Sequence, residues 1–368
     1  MIRIALTGGG TGGHIFPLIA VVDKIREKNS SVEFLYLGSG ADLENKVMNE
    51  NSINVKYIMS GKMRRYFSFL NFLDFLKLPI GLIQALWHLF WYMPDVIFSK
   101  GGYVSVPVAF AAWLYMIPIL THESDAMPGL ANKIIGTMSQ RIAISYPSTR
   151  KYFPESKILL TGNPVRDDID KGDKEVFIKK FALTQSRPII LILGGSQGAQ
   201  NVNVAITNIL DDLVKIAQII HQTGADKYEQ TIKMARNVGI KEGRDGYHPV
   251  PFLDISDMKN ALSAADIIIS RAGANSISEI AANGKPAILI PLSTAANNHQ
   301  GMNAYFLAEK AGAIVLEESN IGRNMLISNI EKILNDNELR EKLSKNIKEF
   351  YHADASEKIA QGVLDLAG

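Results

Sequence analysis

Residues 265–300 read ADIIISRAGANSISEIAANGKPAILIPLSTAANNHQ, and this stretch decides the fold class. Ile267–Ile269 is a short continuous apolar run, the pattern of a strand buried on both faces. Arg271, Ala272 and Gly273 supply a tight turn. From Asn275 the apolar positions Ile277, Ile280 and Ala281 recur at helical spacing, and Gly284 ends the helix. A second strand is predicted at Ala287–Ile290. A strand–turn–helix–strand unit of this kind aims the helix N-terminus, at Ala274, towards the turn. Unpaired N–H groups and a partial positive charge there suit a phosphate. Arg271 adds a full charge at the same edge. Glu279, one turn into the helix, can take both hydroxyls of a ribose, and Gln300 can meet a neutral polar group. Together these point to a nucleotide carrying a sugar. Such units also occur in α/β domains that bind nothing, so the pattern alone leaves both readings open.

Working outward, the 368 residues suggest about two domains at roughly 150 residues each. Hydrophobic residues make up 47%, enough to fill two cores. The net charge of +2 gives no reason to expect a nucleic-acid partner. The absence of cysteine excludes disulfides and thiolate metal sites and fits a cytosolic setting. The opening MIRIALTGG runs into a strand and glycine loop, with no secretory signal expected.

The first half begins with a strand at Ile2–Leu6, then Gly8-Gly9-Gly10-Thr11-Gly12-Gly13-His14, with Pro17 expected to open a helix reaching about Lys28. The loop fits G-x-G-x-x-G, a dinucleotide-binding pattern. A nicotinamide enzyme wants an acidic residue closing the second strand. Here that strand, Glu33–Leu37, ends in Gly38-Ser39-Gly40, which disfavours NAD and leaves a loop built for close backbone approach to a ligand. His14 is either a structural histidine or a functional one. Its place after a glycine turn, at the carboxyl end of a strand, favours function. Polar residues gather again after later strands, at Lys100–Pro107 and at His122-Glu123-Ser124-Asp125. Thr161-Gly162-Asn163-Pro164-Val165-Arg166 reads as the interdomain link. The pattern restarts at Ile189–Leu193 and Gly194–Ala199, and helices fill the tail.

Residues 66–93, YFSFLNFLDFLKLPIGLIQALWHLFWYM, are long, apolar and aromatic. Asp74, Lys77, Pro79 and His88 interrupt them, so no clean run of about 20 apolar residues exists. Lys62, Arg64 and Arg65 precede the segment. Aromatics beside a basic cluster suit a surface resting on an anionic bilayer, with the remainder serving as core.

The motifs GGGTGGH, GGYVS, HESDxxPGLANK, TGNPVR, GGSQGAxxxN and RAGANSISEIAANGKPAILIP with a following HQ stand in order from Gly8 to about Ala311. This set resembles the MurG family, which transfers N-acetylglucosamine to undecaprenyl-diphospho-muramoylpentapeptide (lipid I) and so makes lipid II for peptidoglycan. The resemblance implies an α/β GT-B fold, two Rossmann-like domains with parallel sheets facing across a cleft. The expected division is an acceptor- and membrane-associating domain over 1–164, a UDP-sugar domain over 165–350, and a terminal helix within 351–368 packing back on the first. It implies donor contacts at Thr11, Gly12, Gly13, Asp125, Arg166, Ser196, Asn203, Ile255, Arg271, Ala274, Glu279 and Gln300. Acceptor contacts fall at His14, Tyr103 and Asn132. Where relatives often carry His-Glu-Gln-Asn, this chain has His122-Glu123-Ser124-Asp125, and an ionised Asp125 accepts but cannot donate hydrogen bonds.

The implied reaction is an inverting transfer from UDP-N-acetylglucosamine to the muramoyl 4-hydroxyl, through an oxocarbenium-like transition state. His14 is the expected base, with Glu123 and Asp125 as alternatives. Backbone N–H groups near Ser196 and Ala274, with Arg271, are expected to receive the UDP charge without a metal or other cofactor, since no DxD-like motif stands out. The expected location is peripheral, on the cytoplasmic face of the cell membrane. Rival readings are another GT-B enzyme (a diacylglycerol glycosyltransferase or a UDP-N-acetylglucosamine epimerase), a non-catalytic nucleotide-sugar sensor, and the disfavoured nicotinamide dehydrogenase.

Overall fold

The structure is a computed structural model describing residues 1–61, 69–194, 199–295 and 298–368, the side chains of 69–76 excepted. It divides into two units, Met1–Arg166 with His352–Gly368, and Asp167–Tyr351.

The first unit holds seven strands: β1 Ile2–Thr7, β2 Val32–Gly38, β3 Asn54–Tyr57, β4 Val96–Ser99, β5 Ile119–Glu123, β6 Arg141–Ile144 and β7 Ile158–Leu160. Their order is β3-β2-β1-β4-β5-β6-β7, every pairing parallel. The second holds β8 Ile189–Leu193, β9 Gln218–Gln222, β10 Tyr247–Val250, β11 Ile267–Ser270, β12 Ala287–Leu289 and β13 Ile314–Val315. Their order is β10-β9-β8-β11-β12-β13, again all parallel. Both sheets therefore change winding direction beside their first strand, between β1 and β4 and between β8 and β11. In open parallel sheets, ligands bind outside the carboxyl ends of strands at this switch point.

Helices cover both faces of the first sheet, so its strands are apolar on both sides. Ile4 and Leu6 face one core with Ile15, Leu18 and Val22, while Ala5 faces a second with Ile97, Val108 and Leu89. The terminal helix Ala355–Ala367 returns to the first core, placing Ile359 and Val363 beside the helix Gly12–Lys28. In the second unit Ile267–Ile269 is wholly buried, as the apolar run requires. Burying each such side chain contributes roughly 1.5–3 kcal/mol.

Two strands lie where sequence reading places none, β3 and β10. Both are sheet edges. β3 is largely exposed, and β10 carries Pro249, which an edge position tolerates. A third difference concerns Pro17. The first helix starts at Gly12, with Thr11 as N-cap, so Pro17 lies inside it and His14 sits in its first turn. The ring of Pro17 fixes φ near the helical value, and the preceding glycines disguise the helix start as loop.

Residues Phe69–Tyr92 form one helix. It passes so close to the strand-end loop that a Cβ on Gly81 would sit 2.0 Å from the Met59 carbonyl oxygen. Its inner face buries Ala85 and Leu89, while Ile83, Trp87, Phe90 and Trp91 are exposed at helical spacing. The neighbouring helix Ser105–Leu114 packs against it and exposes Phe110 and Trp113, followed by Tyr115 and Met116. Lys62, Arg64 and Arg65 lie outside the described residues, as do the side chains of Phe69 and Phe72. Among the described residues no helix is long and apolar enough to cross a membrane.

Candidate active site

At the switch point of the first sheet, the loop after β1 meets the loop after β4. Gly102 has φ +90°, and a Cβ there would lie 2.9 Å from the Gly9 backbone. Gly9 in turn has the His14 ring beneath it, 2.9 Å from where its Cβ would stand. Only glycine permits both approaches. The loops are thus thin enough to bring backbone and imidazole to one surface.

His14 Nδ1 lies 3.0 Å from the carbonyl oxygen of Lys100. A carbonyl only accepts, so Nδ1 carries the proton and the neutral ring keeps its lone pair on Nε2, which faces Gly9. Burial lowers the pKa of His14, and the Lys100 charge lowers it further; the bond to the Lys100 carbonyl and the Asp125 charge oppose this. The ring is therefore disposed to be neutral and basic at Nε2.

Lys100 follows β4 and is 1% exposed. Its Nζ donates to His122 Nδ1 at 2.6 Å and to Ser124 Oγ at 3.4 Å. His122, wholly buried, donates from Nε2 to the Gly162 carbonyl at 3.1 Å. Burial lowers Lys100 to about 7, against the opposing pull of Glu123 and Asp125. Sequence reading assigns Lys100 no role. The signal that could have marked it is a lone cation directly after a four-residue buried strand, at a switch point.

Glu123 is buried and accepts from the Asp125 and Gly129 N–H groups at 2.9 and 3.1 Å and from Asn132 Nδ2 at 2.9 Å. Burial and the Asp125 charge push its pKa up, partly offset by these bonds. Its carboxyl orders the loop carrying Asp125. Asn132 is likewise buried and spent on Glu123 and the His122 carbonyl, so it supports the site from beneath. Tyr103, expected as an acceptor contact, is exposed at the mouth of the β4 loop. Thr11, Gly12 and Gly13 form the start of the first helix, and the Arg166 guanidinium lies 5.3 Å from the Phe16 ring on that helix. The structure thus brings Thr11, Gly12, Gly13, His14 and Arg166 together.

In the second unit, the helix Ala274–Asn283 begins at the carboxyl end of β11 with Gly273 as N-cap and no capping side chain. The Glu279 side chain is partly exposed on that helix. Gln300 stands at the start of His299–Glu309, its Oε1 accepting from the Leu292 N–H at 3.0 Å. Ile255 opens the helix Ile255–Ala264, which Asp254 caps. Ser196 lies outside the described residues.

Two further expected donor contacts are engaged by neighbouring residues. Asn203 is wholly buried, donating to the Thr223 carbonyl at 2.9 Å and lying 3.0 Å from His221 Nε2. It ties helix Gln200–Thr207 to β9. The Arg271 guanidinium donates to Glu318 at 2.6 Å and to the Ile290 carbonyl at 3.3 Å. Its charge is met inside the protein by Glu318. Glu318, unmarked in the sequence, also accepts from Asn201 and from the N–H and hydroxyl of Ser293.

Two parallel sheets of this order, with glycine turns at their switch points, make a GT-B architecture. The chain matches the glycosyltransferase family 28 N-terminal domain over residues 4–144 and the family 28 C-terminal domain over 189–359. Within that class the chain belongs to the MurG family. It is 38% identical over 363 residues to the UDP-N-acetylglucosamine--N-acetylmuramyl-(pentapeptide) pyrophosphoryl-undecaprenol N-acetylglucosamine transferase of Caldicellulosiruptor saccharolyticus, covering 98% of this chain and 96% of that one. The enzyme of the same name from Lachnospira eligens is also 38% identical, over 99% of both chains. The crystal structure of Acinetobacter baumannii MurG aligns with a TM-score of 0.76 at 25% identity, over 99% of this chain and 100% of that one.

Proposed function

We propose that this protein transfers N-acetylglucosamine from UDP-N-acetylglucosamine to the 4-hydroxyl of a muramoyl pentapeptide carried on undecaprenyl diphosphate. The observation that carries the reading is the fixed tautomer of His14, with Nδ1–H on the Lys100 carbonyl and Nε2 bare at the switch point. Nε2 takes the proton of the acceptor hydroxyl as its oxygen attacks the anomeric carbon from the face opposite UDP, inverting that centre. UDP departs with its added negative charge towards the N–H groups at Ala274, where the helix dipole stabilises it. Glu279 holds the ribose hydroxyls, Ile255 offers its main chain to the uracil, and Gln300 meets the sugar. Thr11, Gly12, Gly13, Arg166 and Asp125 complete the donor contacts, and Tyr103 lies on the acceptor side.

A peripheral membrane contact is supported by the outer stripe of helix Phe69–Tyr92. Trp87 and Trp91 are 61% and 66% exposed, with Ile83 and Phe90 beside them. A contiguous aromatic face of this kind, costly in water, is suited to the interface of an anionic bilayer. On this reading the enzyme works at the cytoplasmic face of the membrane, beside its lipid-linked acceptor.

Transfer of radiolabelled N-acetylglucosamine from the UDP donor to a lipid I analogue, in the presence of a chelator, tests the reading. Labelled lipid II is the expected product. Donor binding without transfer would favour a sensor, and transfer requiring added metal would overturn the charge-stabilisation scheme.

A further inference from the structure

Resting on the reading of His14 as base, we infer that Lys100 is its positioning residue: the Lys100 carbonyl selects the tautomer, and the Lys100 ammonium, docked on His122, opposes a second positive charge on the imidazole. One residue supplies both effects because it lies between them. Its main chain ends β4 against the first turn of helix Gly12–Lys28, and its side chain runs inward to β5.

The arrangement is a built cluster rather than a chance contact. Lys100 is 1% exposed, and a Cβ on Gly8 would lie 3.5 Å from its Cβ, so the glycine loop lies directly against it. The ammonium donates to His122 Nδ1, which is therefore a lone pair, and the Nε2–H of His122 is anchored on the Gly162 carbonyl with Ser145 Oγ nearby at 3.3 Å. Charged and titratable groups approach from each packed element. His122 and Glu123 come from β5 and Asp125 from the following loop, while Tyr36 from β2 binds the Gly8 carbonyl and Glu44 of the helix Asp42–Glu50. Glu44 is satisfied by the hydroxyls of Tyr36 and Ser39 and by the Ala41 N–H, so its charge is already engaged. Glu123 is likewise held by three donors. The cation of Lys100 thus has neutral imidazole and hydroxyl as its direct partners, and its field reaches His14 through a buried, weakly screening medium. A buried lysine titrating at about 7 fits this setting.

The two effects are separable because one is main chain and the other side chain. Lys100→Met removes the charge and leaves the carbonyl. The expected result is a rise of roughly 0.5–1 unit in the His14 titration midpoint, read by NMR of ¹³C/¹⁵N-histidine-labelled protein. The acid limb of kcat/KM should move up by the same amount, so the loss is larger at low pH than at high pH. In both proteins the ¹⁵N shifts should report a protonated Nδ1 on neutral His14. An unmoved His14 midpoint, or a loss uniform across pH, would overturn the inference. Should the methionine variant not fold, Lys100→Gln keeps a donor for His122 without the charge and gives the same readout. A moved midpoint together with full turnover by His14→Ala would leave the electrostatic link standing and sink the base assignment alone.

Discussion

Arg271 and Glu318 form an ion pair with Nη2 and Oε1 2.6 Å apart, and their side chains are only 9% and 7% exposed. Glu318 also binds Asn201 and Ser293, so one carboxylate joins the segments after β8, β11, β12 and β13. These segments frame the helix start at Ala274. The pair is therefore a clamp on the loops of the second unit.

Removing one member leaves the other charge buried and unmatched. Glu318→Ala should cost roughly 3–5 kcal/mol of stability, read from denaturant unfolding of the parent and variant. The pair also sets a pH window. Burial alone would raise the Glu318 pKa, but hydrogen bonds from Ser293, Arg271 and Asn201 outweigh it and hold the carboxyl at about 2, below its ordinary 4.5. The stabilisation is present above 4.5 and drains away as pH falls towards 2. Parent stability should drop over that interval more steeply than that of Glu318→Gln. Equal slopes would show that the pair is not the source.

Glu279→Ala tests the ribose assignment. A carboxylate accepting from two hydroxyls makes charge-assisted bonds worth about 1.5–3 kcal/mol, so UDP should bind roughly 10- to 150-fold more weakly by calorimetry. The side chain is partly exposed, so the melting temperature should change little. Unchanged UDP affinity would place the ribose elsewhere.

Much of this architecture is legible in the residues themselves. Continuous apolar runs such as Ile189–Leu193 and Ile267–Ile269 announce central parallel strands, and the glycine turns after β1, β4 and β11 mark the switch points. The edge strands escape because pairing on one side only demands no apolar run: Asn54–Tyr57 is mostly exposed, and Tyr247–Val250 contains a proline. His14 and Glu279 are visible as residue types at the right ends of elements. What sequence does not display is who partners whom. Lys100 meets His122 across 22 positions, Arg271 meets Glu318 across 47, and Asn203 meets His221 across 18. The last pair is a buried network in which burial lowers His221 to about 3. Such pairings are set by the fold and leave no mark in the spacing of the motifs.

The aromatic stripe makes a separate prediction. Trp87 and Trp91 pack edge to face at 5.7 Å between ring centroids, yet both face solvent. Replacing both by serine should leave the fold intact, since the core side of the helix rests on Ala85 and Leu89. Binding to vesicles containing anionic lipid, measured by flotation, should fall at least tenfold. Each tryptophan removes apolar area worth over 1 kcal/mol at an interface. Unaltered flotation would move the membrane surface to another face.

The pH dependence of catalysis follows from the site of His14. A base acts only when unprotonated, and burial with the Lys100 charge lowers its pKa from 6.5. The parent enzyme should therefore hold its kcat/KM down to below pH 6.5 and lose it only as pH falls through the depressed value. His14→Ala should lower kcat by roughly 10²-fold or more and abolish that acid limb. His14→Gln is the sharper comparison, because its amide can still donate to the Lys100 carbonyl and preserve the loop while offering no basic nitrogen. If the glutamine variant turned over at the parent rate with the same acid limb, the proton would have to leave by another group. Asp125, held at this site by the Glu123-ordered loop, would then be the residue to test next.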